Sequence, residues 1–185
     1  MSITDNAFSR LGLETKLVFA EDEIQQAYRT AAAAAHPDAG GSNEDFDLVH
    51  NAHAKLTSPS KRLVHWLELH GISFNSRGAL DAPLMDLFCR IGAVSQSAEA
   101  LIKRRDAAQS ALTRALLEAE TQTCRDLLSQ AISLVRDAIQ NECASFPNLQ
   151  SADPIPAESG CRCARNLAFL EKWQLSLRSL FAKLV

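Results

Sequence analysis

Apolar residues recur at three- and four-residue spacing along most of this chain, the period of helices with one buried face. A short helix is predicted from about Asp5 to Leu11, with Gly12 as its cap. A second follows Phe19. It opens on Glu21, Asp22 and Glu23, which suit the positive end of a helix, and carries Ile24, Ala27, Tyr28 and Ala31 as a buried stripe. Five alanines, Ala31 to Ala35, extend it until Pro37 ends it. The segment 36–42, His-Pro-Asp-Ala-Gly-Gly-Ser, reads as a loop that turns the chain back. A third helix runs from about Asn43 to Thr57 with Phe46, Val49, Ala52, His53 and Leu56 inward. After the break at Ser58-Pro59-Ser60 a fourth, Lys61 to His70, shows Leu63, Trp66, Leu67 and Leu69 and stops at Gly71. Residues 72–80 read as a linker.

From Asp81 the pattern lengthens. Leu84, Leu87 or Phe88, Ile91, Val94, Ala98, Leu101, Ala108, Leu112 and Ala115 make one stripe at nearly heptad spacing. Leu127, Ala131, Leu134 and Ala138, flanked by Leu128, Val135 and Ile139, make a second. The stretch from Phe146 to Gly160 holds three prolines and reads as a loop. A last helix from about Cys161 carries Leu167, Leu170, Trp173, Leu177, Leu180, Phe181 and Leu184. Three one-sided stripes must bury against one another. The expected fold is all-α: a helical hairpin with flanking helices over residues 1–71, then a three-helix bundle over 81–185.

Composition agrees with this. The chain has 185 residues, 46% hydrophobic but only 6% aromatic, a mix that favours helices. No apolar run reaches the roughly 18 residues a membrane span needs, and the N-terminus has no signal-like core, so the expected location is cytoplasmic with no membrane contact. Net charge is −3 and no basic stripe stands out, which argues against a nucleic-acid partner. Five cysteines, an odd number, argue against a disulfide framework. Cys161-Arg162-Cys163 is one residue too short for the usual paired zinc ligands and has no second pair, so no metal or cofactor is expected. There is no Gly-rich phosphate loop, nucleophile elbow or two-histidine metal helix, so the chain is not expected to be an enzyme.

The remaining candidate is His36-Pro37-Asp38, between two antiparallel amphipathic helices. Proline fixes a backbone dihedral and so holds its neighbours in place. Asp38 offers an acceptor for a charge-assisted bond. With Leu11-Gly12-Leu13 and Ala27-Tyr28-Arg29 before it, and Phe46, Val49, Ala52, Leu56, Pro59, Lys61 and Arg62 after it, this segment resembles the J-domain family. The resemblance implies a co-chaperone that speeds ATP hydrolysis by a DnaK- or HscA-type chaperone, with His36, Pro37, Asp38 and Arg29 as the chaperone-binding residues. The family's second helix is normally rich in bases. Here Arg29 is followed by Thr30, Ala33 and Ala34, which implies weaker electrostatic steering.

Residues 62–71, ending Leu-Glu-Leu-His-Gly, together with Leu84-Met85-Asp86-Leu87-Phe88 and the run 165–172, resemble one branch of that family, the HscB-type co-chaperones of iron–sulfur cluster assembly. That resemblance implies an L-shaped pair of domains and a patch of Leu84, Met85, Phe88 and Phe169 that binds an IscU-type scaffold protein. The expected state is a monomer or weak homodimer. Two other readings remain open: a J-domain co-chaperone with a different client, and a helical oligomerisation or interaction protein.

Overall fold

The computed structural model describes residues 6–78 and 81–185. Asp5, the expected start of the first helix, and residues 79 and 80 of the expected linker lie outside the described residues. The described chain is helical and contains no strand: α1 (Ala7–Arg10), α2 (Glu23–Ala35), a 3₁₀ turn (Pro37–Ala39), α3 (Asn43–Thr57), α4 (Pro59–Leu69), α5 (Ala82–Asp106), α6 (Ala111–Cys143), α7 (Phe146–Ser151) and α8 (Ala157–Leu184). The all-α architecture is the one the apolar spacing predicts. The chain divides into two compact units. One comprises residues 1–78 with 143–165, the other residues 79–142 with 166–185.

In the first unit, polar side chains set the helix ends. The Asn6 side chain accepts the backbone N–H groups of Phe8 and Ser9, while Ser9 Oγ accepts that of Asn6. Ser42 Oγ accepts the Asp45 N–H at 3.0 Å to start α3. Ser58 caps α4, with Pro59 in its first turn. The core gathers Phe8, Leu11, Leu17, Val49, Leu56, Leu63, Trp66 and Leu67, and burying each such large side chain contributes about 1.5–3 kcal/mol. It is completed from far along the chain. Phe146, Leu149, Cys161, Cys163 and Ala164 are all buried in the same unit. Gly160 sits so close to α4 that a Cβ there would come within 3.0 Å of Leu67 Cδ2.

Three expectations change here. The stretch 146–160 is not all loop: Phe146 and Leu149 bury one side of the short α7, with Pro147 tolerated in its first turn. Helix α8 starts at Ala157, directly after Pro156, rather than near Cys161. The stripe Ile24, Ala27, Tyr28 and Ala31 of α2 is only half-buried, and no residue of α2 is fully buried. That helix packs chiefly on α3, and a helix covered along one edge cannot take its apolar face wholly out of water. Tyr28 stacks on His53 at 4.1 Å between ring centroids, and Gln25 Oε1 lies 3.1 Å from His53 Nε2.

The second unit is a three-helix bundle. Along α5 the inward residues are Leu84, Leu87, Ile91, Val94, Ala98 and Leu101; along α6 they are Leu117, Thr121, Cys124, Leu128, Ala131 and Val135. Along α8 they are Leu170, Trp173, Leu177, Leu180 and Leu184. Each series advances by alternating steps of three and four, the seam that packs helices at shallow angles. The first stripe does not run on to Ala115 as the pattern suggested. The chain turns at 107–110, and Ser110 Oγ accepts the Thr113 N–H to start α6. Neither glycine nor proline marks the turn. The signals are the bases Lys103, Arg104 and Arg105 at the end of α5 and the capping Ser110. Of the stripe read on α6, Leu128, Ala131 and Val135 face the core, whereas Leu127 and Leu134 are exposed.

His65 sets a pH dependence for the first unit. Its Nε2 accepts the Ala7 N–H at 3.2 Å and its ring stacks on Phe8 at 5.6 Å. Burial, reinforced by the Lys55 charge, holds the imidazole below the ordinary histidine value of 6.5. His53 is lowered in the same direction by burial and then by His50. Below pH 6.5 the unfolded chain takes up protons that the native ring refuses, so stability is whole above that pH and is lost as pH falls toward the folded-state value. Thermal unfolding followed by circular dichroism is expected to show a lower Tm at about pH 5.5 than at about pH 7.5. The drop should be smaller in His65→Gln, whose amide oxygen can still accept the Ala7 N–H but does not titrate.

Candidate functional site

Two surfaces carry the candidate residues, one in each unit. The first is built on the end of α2. Arg29 is exposed on that helix, and His36 follows seven positions later, close to two turns on, so both share a face with Ala33 between them. His36 leaves the helix with extended backbone, φ −66° and ψ 137°, as the residue before a proline must. The chain from Pro37 to Ala39 then coils as a 3₁₀ turn. The His36 carbonyl accepts the N–H groups of Ala39 at 2.9 Å and Gly41 at 3.1 Å, and the Pro37 carbonyl accepts that of Gly40 at 3.0 Å. Gly40 has φ +89°, in the region that favours glycine, and a Cβ on Gly41 would overlap the Ala35 carbonyl.

His36 Nδ1 accepts the Asp38 N–H at 3.2 Å, and the edge of Phe46 meets its ring at 5.8 Å. The Asp38 carboxylate lies 3.6 Å from the same Nδ1. That distance is long for a hydrogen bond, and a nitrogen already accepting an N–H has no proton to give it. The side chain of Asp38 is 93% exposed. His36, Asp38 and Ala39 line a shallow depression with Ala32, Ala33 and Phe46. The tripeptide is therefore a bonded, fixed turn that holds one carboxylate out to solvent beside an apolar step. That geometry suits pairing with a cation on another protein, not chemistry in a pocket.

The second surface is on the bundle. Asn166, buried on α8, donates through Nδ2 to Asp81 at 3.1 Å and to Glu142 at 2.9 Å. It thereby ties the start of α5 and the end of α6 to α8. Across that tie Phe88 and Trp173 stack at 5.3 Å and 29°, and Phe169 lies 6.2 Å from Trp173. Met85, Phe88 and Phe169 are exposed by 45, 46 and 38%. Leu84 is not with them. It lies on the inward series with Leu87 and Ile91, 6% exposed, and is core. Met85 is one residue further round the helix and Phe88 is three beyond it, on the outer side. Trp173 was missed as a member of this surface, although its place one turn after Phe169 on α8 is the signal that could have found it.

Among the described residues no group of three or more histidines, cysteines or acids is placed to hold a metal ion. Cys161 Sγ faces the Ser73 carbonyl at 3.8 Å, while Cys163 Sγ lies 3.5 Å from Ser145 Oγ. The two thiols thus have separate surroundings. Nor, among the described residues, is any helix long and apolar enough to cross a membrane.

Residues 6–65, which contain the whole His-Pro-Asp turn and both helices that frame it, match the family model of the DnaJ domain. This chain carries a DnaJ domain over residues 6–65. A 45-residue stretch is 44% identical to the chaperone protein dnaJ A6 of Oryza sativa subsp. japonica. That stretch covers 24% of this J-domain protein and spans only 11% of the rice protein's length. The solved structure of the chaperone HscB from Vibrio cholerae superposes with a TM-score of 0.64, over 98% of this chain and all of that one, at 15% identity. The J-domain protein therefore has the HscB fold, including its helical C-terminal part.

Gly41 gives a test of the turn's geometry. Gly41→Ala must move the loop off the Ala35 carbonyl, at a cost of about 1 kcal/mol or more. Urea unfolding is expected to show that loss as a lower midpoint with an unchanged slope.

Proposed function

We propose that this J-domain protein is a co-chaperone of iron–sulfur cluster assembly. In this reading it stimulates ATP hydrolysis by a DnaK- or HscA-type chaperone and presents an IscU-type scaffold to it. The observation that carries the reading is an exposed His36-Pro37-Asp38 turn on a DnaJ-matching domain, in a chain 98% of which superposes on the HscB fold. The chain itself performs no catalysis in this scheme; the ATPase is the partner's, and the protein works without a cofactor and inside the cytoplasm.

On the chaperone side, Asp38 supplies the carboxylate for a charge-assisted bond, Pro37 and the bonded turn fix its direction, His36 shapes the turn by accepting its N–H, and Arg29 adds one positive charge on the adjoining face. Arg29 is the sole base on α2, so steering by charge is slight and the turn itself carries the specificity. On the scaffold side, Met85, Phe88 and Phe169 offer exposed apolar area, with Leu84 beneath them in the core. Methionine adapts to a partner's contour at little cost.

Asp38→Asn keeps the size and the backbone bonds of the turn and removes only the charge. Steady-state ATPase assays with a DnaK- or HscA-type chaperone from the same organism are expected to show stimulation cut by about tenfold or more, at an unchanged Tm. Stimulation that survives intact would end the assignment of the turn. Calorimetric titration of an IscU-type scaffold is expected to show binding by the wild type that weakens by about tenfold or more in a Met85/Phe88/Phe169→Ala variant. Leu84 is left in place there, because truncating a core leucine would cost about 2–5 kcal/mol of stability and blur the result. A wild type that stimulates the chaperone but ignores the scaffold would leave a J-domain protein with another client.

A further inference from the structure

We infer that Trp173 is the central contact of the scaffold-docking surface, closing on an aliphatic or methionine side chain of the partner. This rests on the scaffold-binding reading above and adds to it a residue and a partner chemistry. Trp173 lies between the two other rings, 5.3 Å from Phe88 and 6.2 Å from Phe169, so the three form one continuous ribbon with Trp173 in the middle. It is half-buried and packs against the leucine core of the bundle, whereas its ring neighbours Phe88 and Phe169 are exposed, as is Met85 one turn before Phe88 on α5. A ring already held by the core loses little freedom when a partner arrives. Centrally placed tryptophans with apolar surroundings carry a disproportionate share of binding energy, while the residues around them mainly exclude water.

The chemistry of the partner follows from the same contacts. Phe88 and Trp173 lie within 29° of parallel at 5.3 Å, leaving no slot for a side chain between them. The partner must therefore lie across the ribbon. None of the four side chains is charged, so a carboxylate pressed against them would lose water and gain no counter-charge. An aliphatic or thioether side chain loses nothing of that kind.

The chain has two tryptophans, and Trp66 is only 2% exposed, so a surface event is reported by Trp173. The experiment uses the full chain and an IscU-type scaffold whose own tryptophans, if it has any, are replaced by phenylalanine. Iodide quenching of the free protein is expected to act on Trp173 and to fall when the scaffold saturates it. Trp173→Ala should weaken binding by about tenfold or more and Trp173→Phe, which keeps the ring packed on the core, by a smaller factor. Both variants are checked for an intact melting transition. Affinity should be nearly independent of added salt, as apolar contact requires.

Folded variants that bind within about twofold of wild type, or quenching unchanged on saturation, would overturn the role of Trp173 and leave the scaffold reading standing. A steep loss of affinity with salt would overturn the apolar partner chemistry. If the wild type does not bind the scaffold at all, the scaffold reading falls and this inference falls with it.

Discussion

The Arg62 guanidinium lies 5.7 Å from the ring centroids of both Phe19 and Phe146, and its Nη1 donates to the Leu56 carbonyl at 2.7 Å. Those three partners come from the segment before α2, the last turn of α3 and the start of α7. One half-buried cation thus joins pieces of the first unit that are 127 positions apart at their extremes. Planar and always charged, a guanidinium can stack on two rings while donating to a carbonyl, which an ammonium would do poorly. The arrangement matters because the N-terminal helices alone have little to bury. Helix α2 contributes no fully buried residue, and a unit of this size is close to the lower limit for an independent core. Phe146, Leu149 and the first turns of α8 supply the missing apolar surface.

The same economy explains how the His-Pro-Asp turn is held. It is not fixed by deep packing, since the tip of the hairpin is exposed. It is fixed by backbone bonds to the His36 and Pro37 carbonyls, by the His36 ring against Phe46, by Gly40 at a φ of +89° that favours glycine, and by Gly41, where a side chain would overlap the Ala35 carbonyl. A surface loop made rigid in this way presents its charge without needing a pocket. The patch on the bundle follows a different rule. There the core seam decides which apolar residues face in, and whatever apolar residues remain lie outside it.

Much was legible in the sequence. The three- and four-residue spacing announced helices nearly everywhere, Ser58-Pro59-Ser60 marked the end of one, although the next begins at Pro59 itself and not at Lys61, and His36-Pro37-Asp38 stood out between two amphipathic segments. The failures have local causes. The turn at 107–110 lacks glycine and proline, so the apolar pattern seemed to run through it. Three prolines made 146–160 look like loop, although a proline in the first turn is compatible with the short α7.

The chain's own order of residues was enough to determine an all-α protein, the framing of the His-Pro-Asp turn and the presence of more apolar positions on α5 and α8 than one seam needs. Periodicity, capping and proline are local effects, and they are written where they act. Which apolar residue is core and which is surface was decided only in three dimensions. Leu84 and Met85 are neighbours of similar hydrophobicity, yet one is buried and the other exposed, because the bundle admits a single seam per helix. Trp173 joined Phe88 only when Asn166 drew α8 against Asp81 at the start of α5. Burial depends on partners far away in the chain, and no local pattern encodes which face of a helix those partners will cover.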